Sequence, residues 1–254
     1  MNNILKAALQ SGRPVLGSWL QFGNPAVAEI MAKAGFDWLA IDLEHSTISI
    51  ETAGELIRII DLAGCAPLVR LSSNDPVQAK RVMDAGACGV IVPSIRSAAE
   101  ARQAVQAVKY PPAGSRGVGL GRAHGYGTRF AEHLEECRNS SVVIPMIEQM
   151  AGVERADEIL NVEGVDGVFI GPYDLSASCG VTGELDHPLV TAAVQRVLAA
   201  ARAAGKVAGI HVVHPAAGLV AARVSEGFRL IACGGDMLFL VPAVQQAVKD
   251  MRAQ

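Results

Sequence analysis

The sequence is poor in aromatic and charged residues. Only 4% of its 254 residues are aromatic and 19% are charged, and the formal net charge is −3. Proteins that bind nucleic acid usually carry a basic stripe or tail, and this sequence has no such block of lysine and arginine. We therefore expect no nucleic-acid partner.

Long apolar runs and paired cysteines are also missing. No apolar run reaches the roughly 20 residues that a membrane-spanning helix needs, and the first residues lack the charged and then apolar regions of a signal peptide. The five cysteines are odd in number, dispersed, and form no CxxC pair. These features predict reduced thiols with no disulfide or zinc site, no membrane partner, and a cytoplasmic location.

Short apolar runs alternate with amphipathic segments along the whole chain. Eight strand candidates and eight helical segments in this length predict a (β/α)₈ barrel, with residues 1–254 as one domain. The predicted strands are Val15–Leu20, Trp38–Leu43, Pro67–Leu71, Gly89–Val92, Val142–Ile147, Gly167–Ile170, Val207–Val212 and Arg229–Cys233. The predicted helices are Pro25–Ala34, Ile50–Leu62, Pro76–Ala85, Ala98–Val108, Gly152–Ile159, Pro188–Ala204, Ala216–Glu226 and Asp236–Arg252. An open doubly wound sheet is the alternative, but it would usually carry a glycine-rich fingerprint after the first strand, and this chain has none there.

Two acidic residues follow successive predicted strands. The fifth strand runs directly into Glu148, and the sixth leads through a Gly-Pro turn to Asp174. An acid at the carboxyl end of a buried strand is costly unless a cation or a hydrogen-bond donor meets it. Mg²⁺ takes one or two carboxylates together with substrate oxygens and water, so the pair predicts a metal that acts as a Lewis acid. The spacing alone also allows Glu148 to pair with an arginine and Asp174 to cap a turn.

Other strand ends supply a base and a cation. His45 follows the second strand, where Asp42 lies near enough in sequence to fix its tautomer. Arg70 ends the third strand, where an arginine suits a carboxylate or enolate oxygen, although a structural role for either residue stays open. No lysine lies at a strand end, which disfavours a Schiff-base mechanism. The long segment Tyr110–Arg129, rich in glycine, is typical of a lid, a site loop or a subunit contact.

Five segments of the chain resemble the HpcH/HpaI aldolase family, in order and over nearly its whole length. They are GSWLQFGNPAVAEIMAKAGFDWLAIDLEH (Gly17–His45), PLVR (Pro67–Arg70), MDAGACGVIVPSI (Met83–Ile95), YPPAGSRGVG (Tyr110–Gly119) and GVDGVFIGPYDLSASCG (Gly164–Gly180). The resemblance implies a (β/α)₈ barrel whose C-terminal helix is exchanged between protomers, in a homohexamer built as a trimer of dimers. It also implies a class II aldolase, similar to 4-hydroxy-2-oxoheptanedioate aldolases, that cleaves a 4-hydroxy-2-oxo acid to pyruvate and an aldehyde through a metal-stabilised enolate.

The same resemblance assigns a metal site and two catalytic side chains. Glu148 and Asp174 are the implied ligands of a divalent metal, which would be Mg²⁺, Mn²⁺ or Co²⁺. His45 is the implied general base. Arg70 is expected to contact the keto or enolate oxygen of pyruvate.

Further positions follow from the family's pattern. Asp42 and Asp84 match the acids that position the catalytic histidine. Pro172, Leu175 and Ser176 are implied substrate-binding residues, and the backbone N–H groups around Leu175 and Ser176 would receive the pyruvate carboxylate.

The chain departs from the family pattern at two places, and the departures keep a second function open. Met146 stands where many members carry Gln, and the loop at residues 119–126 differs from the HRAN-type string of the sugar-acid aldolases. That loop is closer to dicarboxylate-type members or to the citrate-forming branch of siderophore pathways. The alternative is therefore a citrate-synthase-like, Claisen-type condensing enzyme on the same enolate site. A barrel without activity is disfavoured by the complete set of site residues.

Overall fold

The strands close into a parallel barrel in the computed structural model, which describes residues 4–253. Each strand pairs with the next in the chain, and the last pairs with the first. The strands are β1 Val15–Leu20, β2 Trp38–Asp42, β3 Ala66–Arg70, β4 Gly89–Val92, β5 Val142–Ile147, β6 Gly167–Ile170, β7 Val207–Val212 and β8 Leu230–Gly235. The predicted (β/α)₈ fold is confirmed, and every predicted strand lies within two residues of the observed one.

Helices connect the strands on the outside of the barrel. They are α1 Ile4–Gln10, α2 Pro25–Lys33, α3 Ile50–Leu62, α4 Pro76–Asp84, α5 Ala98–Val108, α6 Phe130–Ser140, α7 Met150–Glu154, α8 Ala156–Leu160, α9 Pro172–Ser178, α10 Pro188–Ala203, α11 Ala217–Glu226 and α12 Asp236–Arg252. The single helix predicted over Gly152–Ile159 is wrong, because the backbone leaves the helical region at Arg155 and separates α7 from α8. Helix α6 was not predicted, since Cys137 is the one buried residue identified on it and its apolar periodicity is weak.

Aromatic side chains fill the barrel interior below its carboxyl end. Trp19 contacts Trp38 and Phe169 edge to face, with ring centroids 6.4 Å and 5.5 Å apart. Gly17 makes room for this packing, because a Cβ atom there would lie only 2.0 Å from the Trp38 ring. Such pairs add to the burial of apolar area and give the interior a fixed shape. The interior is therefore a packed core, and it forms a floor for any site above it.

Helix starts at the carboxyl end of the barrel are fixed by side-chain caps. Asn24, Ser49, Asp75 and Ser97 each accept a backbone N–H from the first turn of the helix that follows. A cap of this kind contributes about 1 kcal/mol and sets where the helix begins. The strand-end loops that carry the candidate residues are thereby held between two fixed elements.

The last helix, α12, is unlike the others because little of it is covered. Its exposed apolar residues are Phe239, Leu240, Val241, Val244, Val248 and Met251. Leu16, on the outer side of β1, is also exposed at 38%. Among residues 4–253, no helix is both long enough and apolar enough to span a membrane.

Candidate active site at the carboxyl end of the barrel

A cavity of about 260 Å³ opens at the carboxyl ends of the strands. Loops after several different strands form its wall, which is where barrels of this type place their chemistry. Its lining comprises Trp19, Gln21, Asp42, His45, Arg70, Met146, Glu148, Phe169, Ile170, Gly171, Pro172, Tyr173, Asp174, His211, Gly234, Gly235 and Leu238. The structure thus brings together most of the residues that the sequence predicts for the site.

Arg70 and Asp42 form a buried, two-pronged ion pair. Arg70 donates from Nε to Asp42 Oδ1 at 2.9 Å and from Nη2 to Asp42 Oδ2 at 2.6 Å. The guanidinium also lies over the Trp19 ring, 4.6 Å from its centroid. Burial pushes the pKa of Asp42 upward, but the hydrogen bonds and charge of Arg70, together with the backbone N–H groups of His45 and Glu44, outweigh it and hold that pKa below its usual range. Arg70 is therefore fixed in orientation, and it pairs with Asp42 rather than with Glu148.

The Asp42 carboxylate organises the loop after β2 through its backbone. Asp42 Oδ1 accepts the N–H groups of Glu44 at 3.0 Å and His45 at 3.2 Å, while Gln21 donates to Oδ2 at 3.0 Å. The carboxylate that lies near the imidazole is that of Glu44, with Oε2 3.7 Å from His45 Nε2. Asp42 therefore holds the chain that carries His45, and a role for it in fixing the tautomer remains a prediction.

Glu44 lies beside the cavity, against Arg70, and the sequence did not predict it as a site residue. Its Oε2 lies 3.3 Å from Arg70 Nη1 and is buried without a hydrogen-bond partner among the described residues. Burial raises the pKa of Glu44 to about 7; Arg70 opposes this, while the charges of Glu148, Asp42 and Asp174 add to it. The available signal was its place between Asp42 and His45 in the strand-end string.

Glu148 is held from one side and leaves an oxygen toward the pocket. It is 4% exposed, and its Oε1 accepts hydrogen bonds from the Ser94 N–H at 2.7 Å and the Ser94 Oγ at 3.0 Å. Its Oε2 lies against Gly171, where a Cβ atom would come within 2.9 Å. Burial is the main cause that raises the pKa of Glu148, and the charge of Asp174 adds to it.

Asp174 lies in the first turn of α9 and faces the same cavity as Glu148. Two acidic side chains that face one cavity are suited to a cation between them. Among residues 4–253, no cluster of three or more His, Cys, Asp or Glu side chains could hold a metal by itself. The two carboxylates of Glu148 and Asp174 fit a hard cation such as Mg²⁺, which is bound by one or two carboxylates and completed by substrate oxygens and water.

The remaining wall of the cavity is largely uncharged. Met146, which is 2% exposed, and Phe169 form part of it. His211 donates from Nε2 to the carbonyl oxygen of Gly234 at 2.8 Å, and burial lowers the pKa of His211 to about 4. His211 is therefore neutral at physiological pH, and Arg70 supplies the fixed positive charge of the cavity.

Three of the predicted residues lie away from the cavity. Asp84 ends α4, at the amino end of the barrel, and pairs with Arg116 at 2.5 Å. Leu175 and Ser176 are fully buried in α9, and the Leu175 N–H is donated to the carbonyl of Gly171. Within one chain the structure does not bring these residues to the pocket, so the roles implied for them stay predictions.

The chain is similar to known proteins over nearly its whole length. The model of the HpcH/HpaI aldolase/citrate lyase family matches residues 16–243. A 4-hydroxy-2-oxo-heptane-1,7-dioate aldolase from Shigella sonnei (strain Ss046) is 41% identical over 257 residues, which cover 100% of this chain and 97% of that protein. The crystal structure of an HpcH/HpaI aldolase/citrate lyase family protein from Burkholderia cenocepacia J2315 superposes with a TM-score of 0.93 at 35% identity, over 98% of this chain and 99% of that one. The citrate synthase SbnG superposes with a TM-score of 0.88 at 28% identity, over 98% and 97% of the two chains.

Proposed function

Because the chain belongs to the HpcH/HpaI aldolase/citrate lyase family, we propose that it is a metal-dependent aldolase that reversibly cleaves a 4-hydroxy-2-oxo acid to pyruvate and an aldehyde. The chain is a carbon–carbon lyase, like its relatives named as aldolases. The observation that supports the finer proposal is the charge of the pocket. The acids Asp42, Glu148 and Asp174 line the pocket. Arg70 is the one fixed positive charge among the lining residues. A divalent cation would balance this excess.

Glu148 and Asp174 are the residues that would hold the metal. When bound, the metal would supply Lewis acidity at the 2-oxo group and at the enolate that forms there, an effect worth several kcal/mol. Arg70 adds a second positive charge that is already fixed by Asp42 and Trp19. A charge that does not have to reorient stabilises an oxyanion more effectively than a mobile one, so Arg70 would hold the enolate oxygen.

His45 lies at the mouth of the cavity and would exchange the proton of the C4 hydroxyl. Its side chain is 56% exposed, so it can reach the substrate and solvent from the loop that Asp42 holds. In the cleavage direction the proton leaves the hydroxyl as the C3–C4 bond breaks, and the aldehyde forms. A positioned base of this kind contributes roughly 10²–10⁴ in rate.

The proposal is tested by incubating pyruvate with a panel of aldehydes and Mg²⁺, Mn²⁺ or Co²⁺, and by identifying the products from their mass. We expect aldol products with at least one metal, loss of turnover after exhaustive treatment with EDTA, and recovery when the metal is returned. Turnover that survives chelation would contradict the role of Glu148 and Asp174 as metal ligands.

A condensing enzyme of the Claisen type is the second candidate. The observation in its favour is the likeness to the citrate synthase SbnG, at 28% identity over nearly the whole chain. The same enolate-stabilising site would then act with acetyl-CoA and oxaloacetate. Formation of citrate from these two substrates, with no product from pyruvate and any aldehyde, would favour this candidate over the aldolase.

The assembly and the location of the protein are further parts of the proposal. The exposed apolar face of α12 supports exchange of this helix between protomers, in the homohexamer that the family resemblance implies. Light scattering coupled to gel filtration would test it, and a monomer at micromolar concentration would contradict it. The cytoplasmic location stays a prediction from the sequence.

A further inference from the structure

Ser94 has an unusual backbone conformation beside the proposed metal site. It follows β4 after Pro93, and its φ of 55° lies in the left-handed region. Side chains with a Cβ atom rarely adopt this region, because the Cβ atom crowds the following carbonyl oxygen. Among residues 4–253, Tyr126 is the other non-glycine residue with a positive φ.

The strained conformation places two donors of Ser94 on a single oxygen. The N–H and the hydroxyl of Ser94 both donate to Glu148 Oε1, at 2.7 Å and 3.0 Å. Within the described part of the chain, Glu148 Oε2 accepts no hydrogen bond and lies against Gly171. One carboxylate oxygen is therefore clamped, and the other remains available for a cation.

The burial of the neighbouring residues does not explain why position 94 is a serine. Ser94 itself is exposed, while Pro93 and Ile95 on either side are buried, and the Ile95 N–H bonds to the carbonyl of Met146. A tight turn between two buried residues would be served better by glycine, which adopts positive φ without strain. The hydroxyl group is what glycine could not supply.

We propose that Ser94 is a positioning residue that clamps Glu148 Oε1 and thereby presents the carboxylate to the metal. This inference rests on the proposed function, since it assumes a divalent cation at Glu148 and Asp174. Partners that orient a metal ligand typically contribute 10- to 100-fold to metal affinity. The strain at Ser94 is then maintained by its contact with the site, as such strain often is at functional positions.

The test compares Ser94→Ala with Ser94→Gly, with Tyr126→Ala and Tyr126→Gly as matched controls at the other left-handed position. Mn²⁺ affinity is measured by calorimetry, and melting temperature is measured on the metal-free protein. Both Ser94 variants lack the hydroxyl, but only glycine relieves the strain. We expect both to bind Mn²⁺ about 10- to 100-fold more weakly than wild type, with excess Mn²⁺ restoring much of kcat. We also expect Ser94→Gly to melt higher than Ser94→Ala by roughly 2–4 °C.

The Tyr126 pair should show the same order of melting temperatures with wild-type Mn²⁺ affinity. If Ser94→Gly binds Mn²⁺ as tightly as wild type, Ser94 only forms a turn and the inference is wrong, while the proposed function stands. If Ser94→Gly binds Mn²⁺ more tightly than Ser94→Ala, in parallel with its higher melting temperature, the role of Ser94 is structural and the inference is also wrong. A wild-type protein that binds no Mn²⁺ would overturn both this inference and the proposed metal site.

Discussion

At the amino end of the barrel two lysines meet an acid and a serine, whereas at the carboxyl end four carboxylates surround one arginine. Lys6 pairs with Asp166 at 3.0 Å, and Lys109 donates to the carbonyl and hydroxyl oxygens of Ser141 at 2.8 Å and 2.7 Å. Lys6 also donates to the Ser141 carbonyl, at 3.2 Å. Both lysines have partners within the chain, although burial and the charge of Lys6 lower the pKa of Lys109 to about 8.

The carboxyl end differs, because two of its acids lack a basic partner within residues 4–253. Arg70 satisfies Asp42 and approaches Glu44, but Glu148 and Asp174 have no arginine or lysine as a direct partner among the described residues. The pKa values of Glu44 and Glu148 are raised, first by burial and then by neighbouring acids. The difference between the two ends indicates that one closes the fold, while the other is arranged for a positively charged ligand. Removal of an acid should therefore reduce stability at the amino end and activity at the carboxyl end.

The largest effect is expected for Glu148→Gln. This variant, like Asp174→Asn, removes a proposed metal ligand without removing volume, so kcat should fall by at least about 10³, given that Lewis-acid stabilisation is worth several kcal/mol. The melting temperature of the metal-free protein should not fall, because an unfavourable buried charge is lost. Steady-state kinetics and thermal melts measure the two effects. If the variant is both unstable and inactive, Glu148 stabilises the fold and the prediction is wrong.

His45→Ala should separate two reactions of the same pocket. We expect aldol cleavage to fall by about 10²–10⁴, because the hydroxyl proton loses its acceptor. Decarboxylation of oxaloacetate needs enolate stabilisation but no such base, so much of any such activity should remain. Both rates are measured at saturating metal. Equal loss of the two activities, with metal binding intact by calorimetry, would show that His45 serves the enolate and not the hydroxyl.

Arg70→Lys should lower kcat by roughly 10²–10³, the loss typical of one missing oxyanion donor. Lysine keeps the charge but cannot form the two-pronged contact with Asp42. The matched control at the amino end is Arg13→Lys, whose partner is Asp37 at 2.8 Å, and it should leave kcat unchanged. Near-normal kcat in Arg70→Lys would instead assign Arg70 a structural role.

Much of the site could be predicted from the sequence because strand ends are easy to recognise. Once the chain is read as eight parallel strands, their carboxyl ends must meet, and Glu148, Asp174, Arg70 and His45 follow from position alone. The structure places these four at one pocket. The barrel itself was predictable for the same reason, since β-rich apolar runs and capped helices alternate along the whole sequence.

Contacts that depend on side-chain rotamers and burial could not be predicted in this way. The paired contact of Arg70 with Asp42, the buried Oε2 of Glu44 and the positive φ of Ser94 all arise from the packed loops and leave no spacing signal. The position of Asp84 could not be predicted from the sequence either. A motif match associated it with His45, but in one chain it ends α4 beside Arg116.

Asp166→Asn should show the reverse pattern to Glu148→Gln. Asp166 pairs with Lys6, and its loss would leave Lys6 and Lys109 side by side, with Ser141 as their shared acceptor. Hydrogen bonds to charged groups are worth about 1.5–3 kcal/mol, so we expect the free energy of unfolding to fall by about 2 kcal/mol with unchanged kcat. Urea unfolding measures the change. Asp157→Asn, in a surface pair with Arg196, is the control and should have no measurable effect. Loss of kcat in Asp166→Asn would contradict the division between the two ends.

The smallest effect concerns Glu44 and depends on pH. Burial and the neighbouring acids raise the pKa of Glu44 from 4.5 to about 7, so the folded protein binds a proton more tightly there than the unfolded chain does. Between pH 4.5 and 7 the unfolded state binds fewer protons at this position, and the free energy of unfolding falls as pH rises through that window. Above pH 7 the ionised Glu44 lowers the free energy of unfolding of the metal-free protein by a constant amount.

Glu44→Gln should remove this destabilisation, because an amide does not ionise. In metal-free protein the variant should gain stability relative to wild type as the pH rises from 5 to 8. One pKa unit corresponds to about 1.4 kcal/mol, and solvent screening at this partly exposed position reduces the total to roughly 1 kcal/mol. Denaturant unfolding with EDTA at both pH values measures the difference, and Glu55→Gln on the exposed face of α3 is the control. A difference between Glu44→Gln and wild type that is independent of pH would mean that Arg70 keeps Glu44 ionised throughout. The charge of Arg70 would then outweigh burial and the neighbouring acids at Glu44.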